Sequence, residues 1–279
     1  AVLACPPPPP GQQTKCDCDN EKGEGGRPCM FLGLADGRVV TVLHFPCADD
    51  PSLVGEFKTS ACVSLNHSDE VTSFCLCRSN TLLCSSSVDG TVLLYPHAMC
   101  CGSLTKSVLA LRNVNSAGHN VPVLSLACCG VVSSRAPYMK KDILVTGDQR
   151  GLLKVWVGNA AAEGLHGEDL LLECHSTHRS TTMAQYRMSS PSHVSERGII
   201  VTQLCFAMNK YLISVTNNGD MRIWTLSQEE SIGTVCVQLN LQHFIKQAHR
   251  GSIESLRVSG DILFTCGRNA TIKTWDIPS

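Results

Sequence analysis

His67, Ser85 and Asp89 supply the residue types of a base, a nucleophile and the carboxylate that would orient the base. Two other groups offer metal-ligand chemistry. Cys5, Cys16, Cys18 and Cys29 carry thiols, but their spacing does not make the paired knuckles of a tetrahedral zinc site. Cys174, His175 and His178, with His166 nearby, are a soft nitrogen and sulfur set; on a strand, however, Cys174 and His175 point to opposite faces. No GxxxxGK[ST] motif is present, and "GEGG" lacks the strand-to-helix setting that phosphate binding needs. The chain is therefore expected to have no catalytic residue, no metal and no cofactor, provided that the histidine, serine and aspartate have another use.

That use is visible in a repeat. "SSSVDGTVLLY" (85–95), "TGDQRGLLKVW" (146–156), "SVTNNGDMRIW" (214–224) and "TCGRNATIKTW" (265–275) share one design, and "LGLADGRVVTV" (32–42) is a worn copy. Aligned on their last residue, they place Tyr95, Trp156, Trp224 and Trp275 in one column, with Val42 in the worn copy. Ser85, Thr146, Ser214 and Thr265 fill the column ten residues earlier. Asp36, Asp89, Arg150, Asn218 and Asn269 mark the turn between, and all but Asn269 are followed by Gly, as a hairpin turn at positive φ requires. Ala270 stands in the last copy.

Upstream of these hairpins a further strand is readable in "VTSFCL", "VLSLAC", "VTQLCF" and "IESLRV". Four residues before three of them stand His67, His119 and His249, and Arg197 holds that place in the other. Another apolar stretch follows each aromatic strand, as in "SVLALRNV", "EDLLLEC" and "VCVQLNLQ", giving four short strands per unit. Repeated four-stranded units are the pattern of β-propeller blades.

These residues resemble WD40 repeats: the "GH" of Gly118 and His119, the hairpin "VDGTVLLY" and the "WD" of Trp275 and Asp276 are that family's marks. The resemblance implies an all-β, WD40-type propeller of four-stranded antiparallel blades, with five blades at about 1–63, 64–113, 114–175, 197–242 and 249–279. Insertions at 6–28 and 158–196 read as flexible loops, from their Pro, Gly and charge content. "IKTWDIPS" leaves the last blade without an outer strand, and most family members have about seven blades, so the resemblance implies part of a larger ring.

It also implies a hydrogen-bonded relay of His, Ser or Thr, Asp and Trp in each blade. Carried over residue by residue, its members are His67, Ser85, Asp89 and Tyr95; His119, Thr146, Arg150 and Trp156; Ser214, Asn218 and Trp224, without a histidine; and His249, Thr265, Asn269 and Trp275. No set has all four family residues, so incomplete relays are expected. The same resemblance implies partner binding on the face that would carry His67, Glu70, Gln149, Arg150, Asn217, Asn218, Arg250 and Arg268, a mainly basic rim suited to acidic or phosphorylated peptides.

Composition bounds the remaining classes. The chain has 279 residues, 43% of them hydrophobic and 17% charged, which describes a folded protein. No apolar run approaches the roughly 20 residues that cross a bilayer as a helix, and no membrane partner is expected. A net charge of −1 with mixed signs gives no footprint for nucleic acid. The 17 cysteines are odd in number and many lie within apolar strand patterns, which favours reduced thiols and a cytoplasmic or nuclear setting. The opening "AVLAC" has no initiator Met and no signal-peptide pattern, so the natural chain is expected to extend further.

The expected function is a non-enzymatic scaffold that docks proteins or peptides as a subunit of a multiprotein complex. Two alternatives stand beside it. One is a substrate-recognition subunit of a ubiquitin ligase or other enzyme complex; the other is a structural subunit of a ribosome-assembly, trafficking or ciliary particle.

Overall fold

The computed structural model describes residues 2–4, 29–45, 56–59, 67–77, 82–96, 109–132, 140–158, 172–179, 198–208, 210–231 and 234–277. The 6–28 insertion, Arg197, and residues 159–171 and 180–196 of the second insertion lie beyond these, as do Cys5, Cys16, Cys18 and His166. The described residues are all β, without a helix, and form five antiparallel sheets.

The chain divides into two compact units, Ala1–Arg112 and Asn113–Ser279. In the first, β1 (Val2–Ala4), β2 (Cys29–Gly33), β3 (Val39–Phe45) and β4 (Glu56–Thr59) make one meander. β5 (Val71–Cys77), β6 (Leu82–Ser87), β7 (Thr91–Pro96) and β8 (Leu109–Arg112) make the next. Phe31 and Val39 from the first sheet pack with Val71, Phe74, Leu83, Leu93 and Tyr95 from the second.

The second unit holds three sheets. β9 (Val123–Val132), β10 (Lys140–Asp148), β11 (Leu152–Gly158) and β12 (Leu172–Arg179) form one. β13 (Val201–Ala207), β14 (Tyr211–Thr216), β15 (Met221–Ser231) and β16 (Thr234–Ile245) form another. β17 (Ile253–Ser259), β18 (Ile262–Gly267) and β19 (Thr271–Asp276) complete the set with three strands among the described residues. The β10–β11 hairpin packs through Val145, Leu153 and Val155 against Val201, Leu204, Leu212 and Trp224 of the neighbouring sheet.

Strand β14 explains why simple alternation of apolar and polar residues fails here. All six of its residues are buried. Leu212 faces the cluster shared with β9–β12, while Tyr211, Ile213 and Val215 face the one shared with β17–β19. A strand covered on both sides needs an apolar or satisfied side chain at every position. The last sheet shows the contrast: on β19 Ile272 is 73% exposed.

The turns confirm the backbone reading. Gly37, Gly90, Gly151 and Gly219 adopt φ of 86°, 81°, 73° and 85°, and Ala270, which replaces the glycine, is held at 58°. The thiols divide. Cys75, Cys84, Cys129, Cys205 and Cys266 are reduced. Cys77 takes part in a disulfide, as does Cys128, so the expectation of reduced thiols fails at these two positions.

Gly219 and Ala270 predict opposite shifts in urea unfolding. A methyl at Gly219 would be driven into the His249 carbonyl oxygen while holding positive φ. Gly219→Ala should therefore lose more than the about 1–2 kcal/mol of the φ penalty alone. Ala270→Gly removes that penalty at an entropic cost of about 0.5–1 kcal/mol, for a net gain of up to about 1.

Candidate functional site

Two loops, before β5 and before β17, carry the histidines, and each is tied to the turn of the preceding sheet. The His67 N–H donates to the Gly37 carbonyl at 3.1 Å, and the His249 N–H donates to the Gly219 carbonyl at 3.2 Å. Both rings are then buried, His67 4% and His249 0% exposed. A buried imidazole needs partners on both nitrogens.

Around His249 the partners fix the direction of every bond. Trp275 Nε1–H donates to Thr265 Oγ1 at 2.9 Å, because indole can only donate. Thr265 Oγ1 lies 2.8 Å from His249 Nε2. On the other side Nδ1 lies 3.0 Å from Thr271 Oγ1 and 3.2 Å from Asn269 Oδ1. Thr271 donates its own proton to Asn269 Oδ1 at 2.9 Å, so Nδ1 must be the protonated nitrogen and Nε2 the acceptor from Thr265.

The His67 site repeats this arrangement with a charge added. Nε2 is 2.7 Å from Ser85 Oγ and Nδ1 is 2.8 Å from Thr91 Oγ1. Thr91 donates through its hydroxyl and its backbone N–H to Asp89 Oδ1, both at 2.7 Å. Asp89 Oδ2 accepts the Ser68 N–H at 2.8 Å and lies 3.5 Å from His67 Nδ1. Burial pushes the His67 pKa below its ordinary 6.5, with Asp89 pulling the other way. Burial would raise Asp89, but the Thr91 hydroxyl, the Ser68 and Thr91 amides and the nearby His67 hold it below its ordinary 3.8. A neutral imidazole beside a carboxylate, with Ser85 fully buried, leaves no approach for a substrate to the serine oxygen.

Thr91 and Thr271 were missed in the sequence, although a signal existed. The position two residues past the turn residue is Thr only in the two repeats whose histidines are built in; elsewhere it is Arg38, Leu152 and Asp220.

The β9–β12 sheet uses different chemistry. Trp156 Nε1–H donates to Thr146 Oγ1 at 3.1 Å. His119 is exposed, its N–H donating to Asn115 Oδ1 at 2.9 Å. Buried Asp148 orders the turn instead, accepting from the Arg150 and Leu152 amides, each at 2.9 Å, and from Asn113 Nδ2 at 3.3 Å. The relay drawn through His119 and Arg150 gives way to this network, because a carboxylate two residues before Arg150 already satisfies the turn amides. In the next sheet Trp224 donates to Ser214 Oγ at 2.9 Å. There Asp220 accepts from Asn218 Nδ2 at 3.0 Å and from the Gln247 amide at 2.9 Å.

One backbone bond recurs in four sheets. The amides of Val88, Gln149, Asn217 and Arg268 donate to the carbonyls of Glu70, Pro122, Ile200 and Ser252 at 2.8–3.1 Å. This places Glu70, Gln149 and Arg268 at equivalent ends of their own sheets. Glu70, Gln149, Arg150, Asn218, Arg250 and Arg268 are exposed. His67 is not, which removes it from a partner-facing surface: both its ring nitrogens are used internally. Asn217 is half-buried, with its carboxamide bonded to the Ile200 amide and the Gly198 carbonyl. Cys174, His175 and His178 fall on β12, and Cys29 opens β2.

A family model described as "WD domain, G-beta repeat" matches residues 60–95 and 240–276. These are the stretches that contain the two histidine relays. No curated protein matches the chain by sequence. Among solved structures the chain is similar to one in the crystal structure of the mitotic checkpoint complex, with a TM-score of 0.52 and 16% identity over 90% of this chain and 62% of that one. It is also similar to a chain of a humanized mutant of the Chaetomium thermophilum Polycomb Repressive Complex 2, with a TM-score of 0.60 and 15% identity over 99% of this chain and 49% of the other. At these identities the likeness establishes the fold, and this chain spans 62% and 49% of the lengths of those two.

The relays predict a stability and pH signature. Thr91→Val leaves the buried His67 Nδ1–H short of its acceptor and should cost about 1–3 kcal/mol. Because the folded His67 pKa lies below 6.5, its contribution is complete above that pH and is lost as pH falls below it, when the unfolded chain takes up the proton first. Urea unfolding of His67→Gln, compared with wild type, should show a difference that shrinks between pH 7.5 and pH 5.5, values about one unit either side of an unperturbed histidine.

Proposed function

For a chain that carries WD40 repeats on a WD40-propeller fold, we propose a non-enzymatic scaffold that docks acidic or phosphorylated peptides on the exposed turns of the 113–279 unit. The observation that carries this reading is the rigid presentation of Arg150, Arg250 and Arg268. All three guanidinium-bearing residues are exposed, on turns held by hydrogen bonds from the Arg150 and Arg268 amides and, beside Arg250, from the His249 amide. Arginine on a fixed backbone loses little entropy on binding, and its planar fork matches carboxylate and phosphate oxygens. Gln149 and Asn218 add neutral donors and acceptors beside them.

The buried relay supports the non-enzymatic reading, since its serine, histidine and aspartate are spent on the turns. The two similar solved chains both come from multiprotein complexes, which favours a role as a complex subunit.

A bead-displayed peptide library, presented phosphorylated and unphosphorylated, tests the proposal. Wild-type protein should enrich phosphorylated or acidic sequences. Arg150→Glu combined with Arg268→Glu should weaken the enriched peptides at least about tenfold, given about 1.5–3 kcal/mol for each charged hydrogen bond. Equal enrichment by wild type and the double variant would overturn it.

A further inference from the structure

Strands β5 and β6 bring three cysteine sulfurs together. Cys75 and Cys77 are two residues apart on β5 and so share a face of the sheet. Cys84 is the cross-strand partner of Cys75, which puts it on that same face. The three sulfurs lie within 4.8 Å of one another, and Cys77 Sγ is 3.6 Å from Cys84 Sγ. Cys77 is 4% and Cys84 0% exposed, while Cys75 is half-buried and opens the cluster toward solvent.

Those separations approach the ones a thiophilic cation imposes. Four thiolates about 2.3 Å from a tetrahedral zinc stand about 3.8 Å apart, so a cation reaches all three sulfurs with shifts of a few tenths of an ångström to about one. The donors sit on paired strands rather than on a loop, so little order must be gained on binding. Soft sulfur donors select zinc or copper(I) over magnesium or calcium.

One fact decides when the site exists. Cys75 and Cys84 are reduced, but Cys77 is disulfide-bonded, and a disulfide sulfur is not a thiolate ligand. The geometry points to a redox-gated thiolate site in which Cys75, Cys77 and Cys84 bind a zinc-like cation once the Cys77 disulfide is reduced. Two thiols of a dithiol reductant deliver two electrons and two protons, opening the disulfide to two thiols while the reductant closes to its own disulfide. Zinc then displaces one proton from each of the three cysteines, and water fills the fourth position. When a small-molecule disulfide takes two electrons and two protons from Cys77 and its partner thiol, leaving as two thiols, the Cys77 disulfide re-forms, one of three ligands is lost and the metal is released.

Zinc retention tests the assignment. Purified chain, either reduced with dithiothreitol or left unreduced, is loaded with Zn²⁺, passed over a competing chelator, and assayed for zinc per chain by elemental analysis. Reduced wild type should retain one equivalent that unreduced wild type lacks. Cys75→Ser and Cys84→Ser should each lose that equivalent, and Cys205→Ser, on another sheet, should keep it. The urea midpoint provides a second readout: zinc should raise it for reduced wild type and leave that of Cys75→Ser, whose half-buried position tolerates a hydroxyl, where it was. Equal zinc in reduced wild type and Cys84→Ser, or equal zinc with and without reduction, would overturn the proposal.

Discussion

Burial of a sheet on both faces is the constraint from which the rest of this molecule follows. In the 113–279 unit, β14 serves two cores at once, one shared with β9–β12 and one with β17–β19. No single sheet of this size buries enough apolar surface to offset the entropy of ordering its chain, so stability comes from the stack. The tryptophans mark the same constraint. Trp156 and Trp224 are 7% and 3% exposed, and each buried indole N–H, which needs an acceptor, finds one within its own sheet.

Stacking alone does not set how consecutive sheets meet within a unit. The loop before one sheet is held by the turn of the sheet before it, through His67 to Gly37 and His249 to Gly219. The glycines are needed twice over, for positive φ and because the histidine carbonyl lies against the place a Cβ would occupy. Once the loop is docked its imidazole is trapped, and the hydroxyls of Ser85, Thr91, Thr265 and Thr271 become its partners. Residue types associated with catalysis thus serve to lock turns. Exposed Arg250 and Arg268 lie beside the His249 lock, whereas the turn that carries Arg150 is held by Asp148.

The sheets do not all reach that end by the same means. Where the histidine is built in, the acceptor chain ends on Asp89 or Asn269; where it is not, Asp148 gathers the turn amides directly, and Asp220 holds the Asn218 carboxamide and the Gln247 amide. Family-model matches cover the two histidine-bearing repeats. The other sheets keep the architecture with substitute chemistry, because a turn amide requires an acceptor but not a particular one.

The sequence alone determined the all-β class, the position of the hairpins and the column of aromatic residues. Those depend on local rules: turn residues at positive φ, strand-length apolar runs and a fixed offset between hydroxyl and indole on paired strands. It also pointed to His67 and His249. Only the tertiary structure decided that His119 stands in solvent while Asp148 does its work, that Thr91 and Thr271 complete the relays, and that His67 faces inward rather than toward a partner. It alone set Cys84 opposite Cys75, on the face that Cys75 and Cys77 share, and put Cys77 into a disulfide. Each of these turns on which strand lies opposite which and on what covers the face, quantities set by register and stacking between segments far apart in the chain.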